Sequence, residues 1–239
     1  MINYDKINAI KVKSQTNEQN VRREYFQHLF LFNLYKQDHS DKVFFKGGTA
    51  LRLVFRSPRY SEDLDFSSKN VDQNILEGMV ENALLEIERS GIETDIKESK
   101  ITTGGYLAMA NFRAWKLDMG LKIEISYRDS NPTGTLSSVE NEYIPTYSIT
   151  TLKKSTITTE KVTALLTRAK PRDFYDIYFL LRANLLTSEN KLQLQQINAV
   201  LQSTKINFDK ELKVFLPQSH WGLIENFKQI LSDELKRYL

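Results

Sequence analysis

The chain has 239 residues, 41% of them hydrophobic and 26% charged, with a formal net charge of +3. That is enough to build one large domain or two small ones, with the balance of an ordinary water-soluble protein. Cysteine is absent and the three histidines (His28, His39, His220) are scattered, which excludes disulfides, thiolate catalysis and cysteine-rich zinc sites and leaves oxygen as the donor for any bound metal. No apolar run reaches the length of a membrane span and the first residues lack a secretory pattern, so a cytoplasmic protein with no membrane partner is expected. The mild basicity permits a polyanionic partner without demonstrating one.

In chain order, Val21, Tyr25, Leu29, Phe32 and Tyr35 recur at helical spacing after Asn17, a capping residue, and predict an amphipathic helix before residue 40. The apolar run Val43 to Phe45 then meets Lys46-Gly47-Gly48-Thr49, and a helical pattern resumes from Ala50 to Phe55, giving strand, glycine turn and helix. Leu64 and Phe66 alternate with Asp63 and Asp65, as on a strand with one buried and one polar face. A helix from Asp72 turns Ile75, Leu76, Met79, Ala83, Leu84 and Ile87 inward and stops at Gly91. Strands are expected at 92–96, 106–112 and 121–127; in the last, Leu121, Ile123, Ile125 and Tyr127 point inward and Glu124 outward.

From Thr159 onward strand patterns give way to helices at 160–169, 171–181, 189–201 and 223–238, with Pro171 suited to a first helical position. Strands first and helices after predict an α+β fold: a mixed sheet flanked by helices in residues 1–150, then a helical C-terminal domain in 151–239 that completes the active site, with the boundary near 150–158.

Nucleotidyl transfer requires a cradle for phosphate oxygens and clustered carboxylates that hold divalent metal. Gly47-Gly48 lets the backbone come close to a phosphate, and Thr49 adds a hydroxyl. Alternation places Asp63 and Asp65 on one face of a strand, about 7 Å apart, a spacing that a cation can bridge. Either feature alone is common, a lone Gly-Gly as an ordinary turn and Asp-x-Asp as a solvated strand. Their conjunction is the specific signal.

The stretch Phe45-Lys46-Gly47-Gly48-Thr49-Ala50-Leu51-Arg52-Leu53, followed by Arg59-Tyr60-Ser61-Glu62-Asp63-Leu64-Asp65-Phe66, resembles the AbiEii/AbiGii-type (MenT-like) nucleotidyltransferase toxins of the DNA polymerase β-like superfamily. A second block, Glu160 to Arg168 continuing through Lys170 to Tyr178, looks like that family's downstream Lys, Arg, Arg-Asp and Asp motif. The resemblance implies that Gly47, Gly48 and Thr49 bind triphosphate oxygens, with Arg59 and Ser61 beside them, and that Asp63 and Asp65 hold Mg2+ or Mn2+. Glu124 fits the third carboxylate, placed by strand pattern more than by motif, with Asp118 and Asp129 as fallbacks.

Lys161 and Arg168, two helical turns apart, share a face and would meet the triphosphate. Asp173 and Asp176 either orient those cations in the catalytic machinery, or Arg172 and Asp176 form a plain helix ion pair. The resemblance further implies an NTP substrate, an RNA acceptor with the tRNA 3′ end foremost, a toxin–antitoxin or phage-defence setting, and a cognate antitoxin protein. Two alternatives stay open: nucleotidylylation of a protein hydroxyl, and a noncatalytic NTP-sensing or RNA-binding module. Tyr106, Phe112 and Trp115 favour RNA if they offer stacking faces, and core packing accounts for them equally well.

Overall fold

Asparagine side chains open the first two helices. Asn3 accepts the backbone N–H of Lys6 and Asn17 that of Asn20, satisfying donors that a helix start otherwise leaves bare. α1 spans Tyr4–Lys13 and α2 spans Glu18–Leu34. The pattern predicts α2 and misses α1, which buries only Ile7 and Ile10, too few positions for a helical period to show. The computed structural model describes residues 1–69, 71–128 and 131–239. They fall into two units, one of residues 1–56 and 60–152, the other of 57–59 and 153–239.

The first unit continues through β1 (Val43–Lys46), α3 (Gly47–Leu53), β2 (Leu64–Ser68), α4 (Gln73–Arg89), β3 (Glu93–Thr102), β4 (Gly105–Ala114), β5 (Leu117–Ser126), β6 (Gly134–Val139) and β7 (Tyr147–Leu152). The seven strands form one mixed sheet in the order β3-β4-β5-β2-β1-β7-β6. β2 pairs parallel with β5 and antiparallel with β1, and β1 pairs parallel with β7. Period-two alternation buries Leu64 and Phe66 of β2, Leu121, Ile123 and Ile125 of β5, and Ala108, Ala110 and Phe112 of β4 in one core with residues of α2 and α4. The architecture is α+β, a mixed sheet flanked by helices, as expected from the pattern.

Three local readings are corrected. Ile75, expected inward, is exposed on α4. Tyr127 lies beyond the end of β5 and is partly exposed. The glycines do not form a loop ahead of a helix at Ala50; they are its first two residues, Gly47 at φ +80°.

The second unit is helical: α5 (Lys154–Arg168), α6 (Pro171–Arg182), α7 (Ser188–Lys191), α8 (Leu194–Ser203), α9 (Phe208–Phe215), α10 (Trp221–Glu225) and α11 (Phe227–Lys236). Pro171 takes the first position of α6, where its missing N–H costs no hydrogen bond. Val162, Leu165, Phe174, Ile177, Leu180, Leu201, Leu212, Phe227, Leu231 and Leu235 are buried. Among the described residues no helix is long and apolar enough to cross a membrane.

Candidate active site

The β1–β2–β5 ladder lines up the acidic candidates. Asp65 lies opposite Lys46 on β1 and opposite Glu124 on β5, and because side chains alternate, the three share the face turned away from the core. Asp63 precedes β2 by one residue and stands two before Asp65. Lys122 stands two before Glu124 on β5, on the same face. The polar face of the central strands therefore carries Lys46, Asp65, Lys122 and Glu124, with Asp63 at its edge.

The glycine turn is built around Asp65. A Cβ on Gly47 would meet the Asp65 Oδ2 at 2.0 Å and its Cβ at 2.8 Å, so the carboxylate rests directly against the glycine backbone. Thr49 is wholly buried, and its hydroxyl donates to the Asp63 carbonyl oxygen at 2.5 Å. This ties the first turn of α3 to the segment carrying both aspartates. Thr49 therefore acts as a fastener between these two segments, its hydroxyl wholly buried and already donating. Gln27 of α2 secures the same segment, its side-chain amide donating to the carbonyls of Ser61 and Glu62 at 2.9 and 3.0 Å. Ser61 is half-buried, Gly48 buried and Gly47 half-buried.

Lys122 is the group that residue-type reasoning passed over. Its ammonium lies 2.8 Å from the Glu124 Oε1. That hydrogen bond, then the charges of Glu124, Asp63 and Asp65, hold its pKa above the ordinary lysine value against the opposing pull of partial burial. The signal was available, since Lys122 occupies an outward position of the same predicted strand. Among the described residues no three acidic side chains gather tightly enough to form a metal-ready cluster. Asp118, a fallback for the third carboxylate, instead receives the Arg113 Nε at 3.0 Å; Asp129 lies outside the described residues.

The downstream candidates belong to the second unit and pair around two buried aspartates. Asp176 is buried, accepting from Arg59 Nε at 2.8 Å and Nη2 at 3.1 Å and from Lys161 Nζ at 2.7 Å. Burial pushes its carboxyl up, and the Arg59 and Lys161 charges outweigh that, leaving its pKa below the ordinary value. Asp173, equally buried, accepts from both arms of Arg168 at 2.8 and 2.9 Å and from the Lys170 backbone N–H at 3.1 Å. Asp176 thus pairs with Lys161, and Asp173 with Arg168. Arg172 instead approaches Glu211 at 4.0 Å. Arg59 is a buried counter-ion of Asp176. Asp173 and Asp176 themselves are interior, so any part they play passes through the cations they hold.

Tyr106, Phe112 and Trp115 pack inward. Tyr106 and Phe112 are in the core, Phe112 stacking on Phe26 with ring centroids 4.8 Å apart. Trp115 packs against Tyr25 and Phe26. Core packing accounts for all three.

A mixed sheet whose central strands set paired aspartates against a glycine-opened helix, with a glutamate level on the neighbouring parallel strand, defines a protein of nucleotidyltransferase fold. Solved structures that share it include JHP933 from Helicobacter pylori, 24% identical, TM-score 0.64, the match covering 93% of this chain and 95% of that one; and a second Helicobacter pylori protein, a nucleotidyltransferase by provisional description, 24% identical, TM-score 0.63, covering 93% and 99%. Among curated proteins none matches the chain. The family model for the nucleotidyl transferase AbiEii toxin of Type IV toxin–antitoxin systems matches residues 29–237, and the chain belongs to that family.

Proposed function

We propose that the protein transfers a nucleoside monophosphate from an NTP to an RNA hydroxyl, at the 3′ end of tRNA, and that this arrests growth until a cognate antitoxin protein intervenes. The family supplies the reaction class and the toxin–antitoxin setting. The observation that carries the active-site assignment is the seating of the Asp65 carboxylate against Gly47, level with Glu124 across the β2–β5 ladder. A bound NTP phosphate and these carboxylates then share one face of the sheet.

The donor set suits a hard divalent cation, being carboxylate oxygen throughout in a chain without cysteine. Asp63, Asp65 and Glu124 would hold Mg2+ or Mn2+, which when bound supplies positive charge to the reacting phosphate. The chain's own contribution is placement. Thr49 and Gln27 fix the Asp63–Asp65 segment, and Gly47 and Gly48, with Ser61, present backbone and hydroxyl to the triphosphate. The acceptor oxygen attacks the α-phosphorus, the bond to the bridging oxygen breaks, and pyrophosphate leaves. Holding these groups in line recovers much of the entropic cost of bringing two substrates together.

The test offers each of the four labelled triphosphates with Mg2+ and either purified tRNA or lysate protein. Label on tRNA, accompanied by a change in its length, is the expected result; label on protein alone would replace this reading with nucleotidylylation of a protein hydroxyl. In the same assay Asp63→Ala/Asp65→Ala is expected to lose activity by more than a hundredfold, as for removal of groups that act at the reacting phosphate. If expression of that double variant stops growth as strongly as the parent, chemistry at these aspartates is not what makes the protein toxic.

A further inference from the structure

Lys122 stands inside the acidic face with no role in the reaction as drawn so far. Its ammonium makes an ion pair with Glu124 at 2.8 Å, and it is about one-third exposed, so the pair is neither a loose surface contact nor sealed from solvent. The strand ladder sets Glu124 level with Asp65, close enough across a parallel pair for both carboxylates to face one cation. Yet among the described residues no three acidic groups gather, and Glu124 is engaged by its own strand neighbour two residues back. A face bearing Asp63, Asp65 and Glu124 would repel itself without a cation. Lys122 supplies one from within the chain beside Glu124, as Lys46 does opposite Asp65.

We infer that Lys122 is an internal competitor for the metal: it holds Glu124 away from Asp63 and Asp65, neutralises the face when no divalent ion is bound, and gives up Glu124 when one arrives. This rests on the reading of Asp63 and Asp65 as metal-holding residues. It makes Lys122 a positioning residue acting through Glu124, and it sets the metal affinity of the site below what its three carboxylates alone would give.

The experiment is a Mn2+ titration of the purified protein without nucleotide, followed by electron paramagnetic resonance of free Mn2+. Lys122→Met, which keeps the aliphatic stem, is expected to bind Mn2+ about twofold to fivefold tighter, the scale set by losing one partly exposed ion pair. Lys122→Arg is expected to bind like the parent. Lys122→Gln is titrated alongside Lys122→Met, so that poor folding of one variant, seen by circular dichroism, does not decide the outcome. In a Glu124→Gln background the gain is expected to vanish, because the contested ligand is gone. Unchanged or weaker binding by Lys122→Met and Lys122→Gln overturns the inference. So does a gain that survives in the Glu124→Gln background, since that is a general charge effect. Undiminished binding by Asp63→Ala/Asp65→Ala sinks the metal reading of the aspartates and this inference with it. Lost binding there, with no gain from the Lys122 variants, sinks the inference alone.

Discussion

Gly47 meets two constraints at once. Its φ of +80° is a conformation that L side chains adopt only with strain, and the space a Cβ would fill already contains the Asp65 carboxylate at 2.0 Å. Gly47→Ala is therefore expected to destabilise the protein by roughly 1–3 kcal/mol, the range for overpacking joined to backbone strain. It should also displace Asp65, so that nucleotidyl transfer falls by more than the stability loss accounts for. Gly78 gives the contrasting case. It lies within α4 with nothing inside 4 Å of an added Cβ, so Gly78→Ala is expected to stabilise by about 0.5–1 kcal/mol through helix propensity. Urea unfolding of the two variants checks both signs. A Gly47→Ala protein as stable and active as the parent would show that Asp65 has room elsewhere and that the glycine is not what seats it.

Helix α2 carries a buried polar network that ties it to α3 and β7. Glu24 accepts the Arg52 Nε at 2.6 Å and the Tyr143 hydroxyl at 3.1 Å, and His28, one turn on, lies 2.8 Å from the Tyr147 hydroxyl through Nδ1. Burial lowers the His28 pKa to about 4; Glu24 opposes the shift and Arg52 adds to it. A base whose folded pKa lies below its unfolded value of about 6.5 takes up protons on unfolding, so stability is full above pH 6.5, declines as the pH falls toward 4, and levels off beneath. The loss amounts to about 3 kcal/mol across that window. His28→Gln, which retains hydrogen-bonding capacity without titrating, is expected to flatten the slope of unfolding free energy between pH 6.5 and 4 relative to the parent. Parallel slopes for the two proteins would mean that His28 is protonated within the fold and that the network tolerates its charge.

Over the whole chain, what the sequence revealed was local and what it hid was distant. The turn from Val43 through Thr49 and the alternation at Asp63 to Phe66 were legible because each signal spans a few residues and the groups that shape it lie within it. β7 was hidden although Tyr147, Ile149 and Thr151 alternate inward, because its serines and threonines gave it the composition of a linker; β6 is an edge strand with Leu136 exposed and has almost no pattern to read. The pairing of Arg59 with Asp176 crosses 117 positions, and no periodicity reports a contact of that separation. Its energetics can nevertheless be tested. Asp176→Ala leaves the Arg59 and Lys161 charges buried without their shared partner, and removing one side of such a cluster costs about 3–5 kcal/mol. Hydrogen exchange is expected to accelerate in α5, α6 and residues 57–59 of the second unit. Acid alone should not reproduce this near neutrality: with its folded pKa depressed, Asp176 contributes stability above its unfolded value of about 3.9 and loses it only as the pH falls lower still, below the window in which His28 acts. The triple replacement Arg59→Met, Lys161→Met and Asp176→Leu is expected to recover much of the lost stability, because apolar groups of similar size carry no desolvation penalty. Recovery of exchange protection with no return of nucleotidyl transfer would assign the cluster a functional charge, whereas recovery of both would make it structural. Exchange in α5 and α6 unchanged by Asp176→Ala would mean that water reaches the two cations and that the cluster is not sealed.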